Sequence, residues 1–295
     1  MPKNLFLGIM MTMTYQRKEG FLLGSNQNRL FFQIWENPLA QGTVIITHGQ
    51  GEHSECYHRL VDFFKNDQWS FYGWDLRGHG RSEGKRGYVH AFNDYLADAK
   101  LFYQEVLQDA KVKNKPVIFL SHSMGAQIQM RSLIEDSSLK PTAQVFSAPL
   151  LGLALSIPAF KKQGAVWLAK LFPTMTLWNE INNDDLSRDP AVIREFECDV
   201  LRHDRLSSAV FLGMLENIAF LENASSQLPG PILVQCPEND PVVSTPAARA
   251  FFEKLGSTDK VFLTYGDGAK HEMYNDTHRT EVFSDLKKFL DQFIK

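Results

Sequence analysis

The chain has 295 residues, and its 31 Lys and Arg against 34 Asp and Glu give a formal net charge of -3. Charges of both signs are interspersed, so there is neither a basic stripe to track phosphates nor a polyanionic tail, and nucleic acid is not an expected partner. The three cysteines, Cys56, Cys198 and Cys236, are far apart, odd in number and without CxxC spacing; neither a disulfide framework nor a zinc site is expected, and a reducing, cytoplasmic setting fits best. This length suits one α/β core carrying an insertion.

The apolar stretch Leu5 to Met11 is too short, and its flanks are wrong, for a signal peptide. With Met10, Met11 and Met13 following closely, residues 1–13 are expected to be a disordered or mis-assigned start. No run approaches the roughly 20 apolar residues of a membrane-spanning helix. The apolar runs Phe21 to Leu23 and Leu30 to Trp35 flank Ser25-Asn26-Gln27-Asn28, which predicts an antiparallel hairpin at a sheet edge. Short apolar runs follow at Val44 to Thr47, Ser70 to Trp74, Val117 to Leu120, Ala143 to Phe146, Ile232 to Gln235 and Val261 to Tyr265. Each is bounded by Gly, Pro or polar residues, as in strands buried on both faces.

Between these runs, Phe92, Tyr95, Leu96, Ala99, Phe102, Tyr103, Val106 and Leu107 recur at helix spacing. Thr245-Pro246 reads as an N-cap and first helical residue. Val282, Phe283, Leu286, Phe289, Leu290 and Phe293 predict a C-terminal helix. The alternation predicts an α/β fold, a mostly parallel sheet flanked by helices. It breaks between about Leu150 and Pro229, a span too long for a plain loop. The expected division is therefore a core of residues 14–149 and 230–295 with a helical cap inserted at 150–229. The cap's apolar stretches, Leu150 to Phe160, Ala165 to Trp178 and Val210 to Leu221, are separated by the polar segment Asn182 to Asp189.

The strand Val117 to Leu120 runs into Ser121-His122-Ser123-Met124-Gly125, with Ile128, Met130, Leu133 and Ile134 continuing as a helix. In a nucleophile elbow this turn holds a serine in strain above the sheet and needs small residues two places either side. Gly125 meets that need, and Ser121 replaces the usual glycine. A serine here is also an ordinary helix N-cap, so context decides. That context includes His48-Gly49-Gln50-Gly51 at the end of the strand Val44 to Thr47. Such a turn presents amides, and the Gln50 and Met124 amides are the expected oxyanion donors.

A serine hydroxyl needs an imidazole to take its proton and an acid to orient that imidazole. Of nine histidines, His271 follows the last predicted strand and precedes the C-terminal helix, with His278 as the reserve candidate. His122 is expected to pack near the elbow. The strand Ile232 to Gln235 leads to Glu238 and Asp240, and Asp240 is favoured because it precedes Pro241-Val242-Val243. The turn Trp74 to Ser82 lacks a phosphate-binding glycine pattern and is read as structural, with His79 bonding nearby backbone.

With these pieces in place, His48 to Ser54 (HGxGEHS), Asp75 to Gly84 (with GHGxSEG), Ser121 to Gly125 and Asp240 to Ser244 resemble the monoglyceride lipase and lysophospholipase group of α/β-hydrolases. The resemblance covers about residues 17–295 and departs at Ser121 and at Cys236-Pro237, where glycine is more usual. It implies a serine hydrolase with Ser123, Asp240 and His271 as triad and Gln50 and Met124 as oxyanion hole, working without metal or organic cofactor. The implied substrate is a single-chain lipid ester, monoacylglycerol or lysophospholipid, bound beneath the cap. The alternatives are an esterase or peptidase of the same fold acting on small non-lipid substrates, or a non-catalytic ligand-binding protein. Leu151, Leu153, Leu155, Ile157 and Phe160 exceed what one helix face buries, so the cap is expected to bind lipid or to touch a membrane surface transiently.

Overall fold

The computed structural model describes residues 15–154 and 159–294. The start anticipated at residues 1–13, the Leu5 to Met11 stretch, and Leu155 and Ile157 of the insertion lie outside them.

The first hairpin forms as its sequence predicts: β1 (Gln16–Leu23) pairs antiparallel with β2 (Arg29–Glu36), the turn between them using Gln27 at a φ of 61°. The strands that follow are β3 (Gly42–Thr47), β4 (Trp69–Trp74), β5 (Val117–His122) and β6 (Ala143–Ser147), then β7 (Thr176–Trp178) and β8 (Arg205–Ser207) in the insertion, and finally β9 (Ile232–Pro237) and β10 (Lys260–Tyr265). Eight of them form one sheet in the order β1-β2-β4-β3-β5-β6-β9-β10. Pairing is parallel from β4 to β10, and β2 joins β4 antiparallel. Strands β3 to β6 and β9 are buried along their whole length, which is why they read as continuous rather than alternating apolar runs.

The helices, in chain order, are α1 (His58–Phe63), α2 (Asn93–Gln108), α3 (Met124–Glu135), α4 (Ala159–Leu171), α5 (Asn183–Leu186), α6 (Pro190–Cys198), α7 (Ser208–Ala224), α8 (Thr245–Lys254) and α9 (Arg279–Leu290). The predicted stripe of α2 packs on the sheet, with Phe102 stacked on Trp74 at 5.2 Å between ring centres. Thr47 anchors the end of β3: its hydroxyl pairs with Tyr103 at 2.7 Å and accepts from Trp74 Nε1 at 3.1 Å, so the polar groups buried there are satisfied. The cap of α8 lies one residue earlier than its sequence suggests. Ser244 Oγ accepts from the Ala247 amide at 3.2 Å, whereas the Thr245 hydroxyl donates to the Pro237 carbonyl at 2.7 Å.

Between β6 and β9 lie α4 to α7, together with an antiparallel ribbon of β7 and β8 that sequence reading did not anticipate. Each strand of the ribbon has only three residues, too few for a periodic signal. Leu150 and Leu151 are buried in the core, and Leu153 bridges to Val243. Phe160 on α4 is 73% exposed. Among the described residues, no helix is long and apolar enough to cross a membrane.

Candidate active site

The turn from β5 into α3 places Ser123 at φ 50° and ψ -119°, a left-handed conformation that a non-glycine residue adopts only under strain. Surrounding backbone holds it there. The Ser123 amide donates to the Ser147 carbonyl at 3.1 Å, and the Ser123 carbonyl accepts from the Ala126 and Leu150 amides. Gly125 sits against β3 so closely that a Cβ would come within 2.5 Å of the Thr47 and His48 carbonyl oxygens. Ser121, two places before Ser123, is fully buried in the parallel ladder between Thr47 and Phe146, and its hydroxyl has no partner. Met124 is the first residue of α3, so its amide has no intrahelical acceptor and is available to a ligand.

The turn after β3 is fixed by His48. Its Nδ1 lies 2.7 Å from the Gly49 carbonyl, which can only accept, and its Nε2 accepts from the Leu76 amide at 2.9 Å. The ring is therefore neutral, and burial holds its pKa down at about 3. Gly51, at φ 80°, packs on the insertion: a Cβ would meet the His203 carbonyl at 2.4 Å. The Gln50 side chain donates to the Arg205 carbonyl at 2.7 Å, so the turn carrying the Gln50 amide is tied to β8.

His271 and Asp240 come together as expected. His271 Nδ1 is 2.8 Å from Asp240 Oδ2, and Asp240 Oδ1 accepts from the Val242 and Val243 amides at 2.8 and 3.1 Å. Burial works to raise the pKa of Asp240, but His271 and those two amides outweigh it and hold the carboxyl below its ordinary value. Burial likewise works to lower the pKa of His271; the Asp240 and Glu272 carboxylates outweigh it and hold the imidazole above its ordinary value. Glu238, the competing acid, is exposed. His278 precedes α9, its Nδ1 meets the Arg188 guanidinium, and it does not face this cavity. His79 bonds the Arg77 carbonyl at 3.1 Å, as the structural reading of its turn requires.

Ser123, His271 and Gln50 line one cavity of about 350 Å³, roofed by α5, α6 and the segment leading to β8. The insertion also grips the histidine loop directly: the His271 amide donates to the Asp185 carbonyl at 3.2 Å and the Glu272 amide to the Leu186 carbonyl at 3.0 Å. Arg202, Glu272, Phe196 and Glu52 escaped sequence reading, whereas His122 packs beside the elbow as expected. Arg202 reaches from the insertion to pair with Glu272, and Phe196 lies under its guanidinium at 3.8 Å. Glu52 and His122 face each other beside them. The adjacency of Glu272 to His271 and the place of Glu52 in HGxGEHS were visible in the chain, but nothing near Arg202 announces its target. His53, Cys56 and Asp199 lie within 4.8 Å of one another, yet His53 already bonds Asp199 and Arg202 donates to the Cys56 sulfur, which disfavours a cation there.

Over residues 38–278 the sequence matches the Hydrolase_4 family, described as serine aminopeptidase, S33. An abhydrolase domain-containing protein of Dictyostelium discoideum is 26% identical across 93% of this chain, which spans 29% of that longer protein. A monoacylglycerol lipase of Mycolicibacterium smegmatis is 25% identical, with 93% of this chain and 97% of that one covered. The fold matches a solved structure of a soluble variant of Saccharomyces cerevisiae monoglyceride lipase with a TM-score of 0.84 at 20% identity, covering 97% of each chain. The chain thus belongs to the serine aminopeptidase, S33 (Hydrolase_4) family and has the α/β-hydrolase fold.

Proposed function

We propose that this protein is a serine hydrolase cleaving carboxylic esters of single-chain lipids. The observation that carries the proposal is a strained serine at a strand-to-helix turn, sharing one cavity with a histidine whose far nitrogen is held by a buried aspartate. In this reading Ser123 attacks the ester carbonyl while His271 takes its proton, and the oxyanion rests on the Gln50 and Met124 amides. His271 then protonates the leaving alcohol, an acyl-enzyme remains, and His271 activates water to release the fatty acid. Asp240 stays ionised throughout, orienting the ring and stabilising the imidazolium.

The segment 150–229 serves as a cap over this cavity and presents the protein to a lipid surface. Supporting this role, Phe160, Trp167, Leu171 and Phe172 are all more than half exposed on or just beyond α4, with Leu177 and Trp178 of β7 also exposed. The serine mechanism described calls on no metal or organic cofactor, and the surface it meets is the cytoplasmic face of a membrane. Monoacylglycerol is the favoured substrate, because Glu197, Asp199, Asp204 and Glu272 line the cavity against the single arginine Arg202, a lining that repels an anionic head group.

A second reading, a peptidase acting on substrates with a free amine, draws on the family's printed description and the same acidic lining. Side-by-side hydrolysis of monoacylglycerol, lysophosphatidylcholine, short esters and an aminoacyl amide by the purified protein separates the two. The lipid reading expects the long-chain ester to be fastest, and a preference for the amide would replace it with the second.

A further inference from the structure

His122 immediately precedes Ser123, and its ring lies 4.6 Å from that of His271. Its Nδ1 is 3.0 Å from the Ser147 carbonyl, an acceptor only, so Nδ1 carries a proton. Its Nε2 is then either the bare acceptor of a neutral ring or the second N–H of an imidazolium. That nitrogen lies 3.2 Å from Glu52 Oε1 and has no other polar partner, and both side chains are buried.

Glu52 faces Cys56 and Tyr57 of its own loop, His122 of the elbow, His271 and Glu272 of the loop after β10, and Arg202 of the insertion. Arg202 is engaged by both Glu272 oxygens, so one cation serves two buried carboxyls. A buried imidazolium at His122 would stand against the very ring that must become an imidazolium during turnover. Placing the shared proton on Glu52 instead removes both conflicts: one carboxylate balances one guanidinium, and His122 stays neutral.

We propose, on the serine-hydrolase reading above, that Glu52 is a positioning residue working as a neutral acid, its carboxyl O–H donating to Nε2 of His122 and fixing the ring that walls His271. Burial and the Glu272 carboxylate push Glu52 up to about 8, and burial with the neighbouring His271 draws His122 down to about 3, the same distribution of the proton. The cavity behind the pair, lined by Tyr57, Ser147 and Asn275, is only about 10 Å³, room for about one water, and Glu52 is 3% exposed toward the large cavity, so solvent gives an ionised Glu52 little stabilisation. When that proton leaves at alkaline pH, a carboxylate appears in the wall of the cavity that Gln50 also lines, where it opposes the oxyanion. Activity therefore declines as Glu52 ionises.

Two measurements on the full chain test this separately from the serine reading. Fluorophosphonate labelling of wild type and its loss in Ser123→Ala test the reading itself. The ¹⁵N resonances of the His122 ring test the proposal whether or not labelling occurs: at neutral pH they should show Nδ1 protonated and Nε2 bare. Both nitrogens protonated would overturn it. In kcat/KM against a soluble short-chain ester, Glu52→Gln keeps a donor and should stay within about threefold of wild type while losing the alkaline limb, whereas Glu52→Ala should fall about tenfold. An alkaline limb persisting in Glu52→Gln, or a Gln variant as impaired as Ala, also overturns the proposal. Should Glu52→Ala fail to fold, the Gln variant and the resonances decide alone.

Discussion

Two parts of the insertion between β6 and β9 behave in opposite ways. Residues 182–205 are fastened to the core by Arg59 with Glu195, Arg188 with Asp276, Arg279 with Asp189, Arg202 with Glu272 and His53 with Asp199. The stretch from α4 to β7 instead exposes Phe160, Trp167, Leu171, Phe172, Leu177 and Trp178 and packs α4 on α7. The difference teaches that in this insertion the polar residues build the active-site roof while many of the apolar ones face outward. An apolar excess in the sequence thus marks the surface side, and a polar interruption marks the fixed side.

The largest effect is expected from Ser123→Ala, which should lower kcat/KM by at least about 10⁴-fold with an unchanged circular dichroism spectrum. Turnover surviving in that variant would move the chemistry away from the clamped side. Asp240→Asn should cost about 10⁴-fold in kcat by losing the orientation of His271. It should also flatten the pH dependence of stability, and the sign follows from the two partners. His271, raised when folded, contributes stability that is fully present below its unfolded pKa of about 6.5 and lost as pH rises through the folded value. Asp240, lowered when folded, contributes stability present above its unfolded pKa of about 3.9 and lost as pH falls through the folded value. The gap in Tm between wild type and Asp240→Asn should therefore be widest between these values and narrow on either side.

Arg202→Met leaves Glu272 buried without its cation and should lower stability by about 3 kcal/mol in denaturant titrations. The carboxylate so freed favours the His271 imidazolium, moving the acid limb of kcat/KM to higher pH. An unmoved limb would mean that the clamp is structural alone. The smallest effect on the fold belongs to the outward half: Trp167→Ser with Phe172→Ser should change stability by about 0.5 kcal/mol or less. Short-ester turnover should be untouched, while hydrolysis of monoacylglycerol presented in vesicles should fall by about threefold or more. Equal loss on both substrates would place α4 in the site and not at the membrane.

The sheet was legible because its strands are buried on both faces, leaving continuous apolar runs such as Val44 to Thr47 and Ile232 to Gln235. The expected triad residues and oxyanion turn were legible for a related reason: each follows a recognisable strand, so topology brings them to one edge. Arg202, by contrast, contacts Glu272 seventy positions away through a loop with no periodic signal. Likewise the ribbon of β7 and β8 is too short to register, and α6 was not anticipated, although Asp189-Pro190 is a helix-start pattern in which Asp189 accepts from the Ala191 amide. The protonation of Glu52 depends on what surrounds it in space, which local sequence does not record.

The most direct test of the central claim is to mix the protein with a long-chain p-nitrophenyl ester, quench rapidly in acid and locate the added mass by peptide mapping. The account predicts one acyl group on the peptide containing Ser123, absent from Ser123→Ala. Steady turnover with no acyl group on that peptide, or acylation elsewhere that persists in the alanine variant, would contradict it.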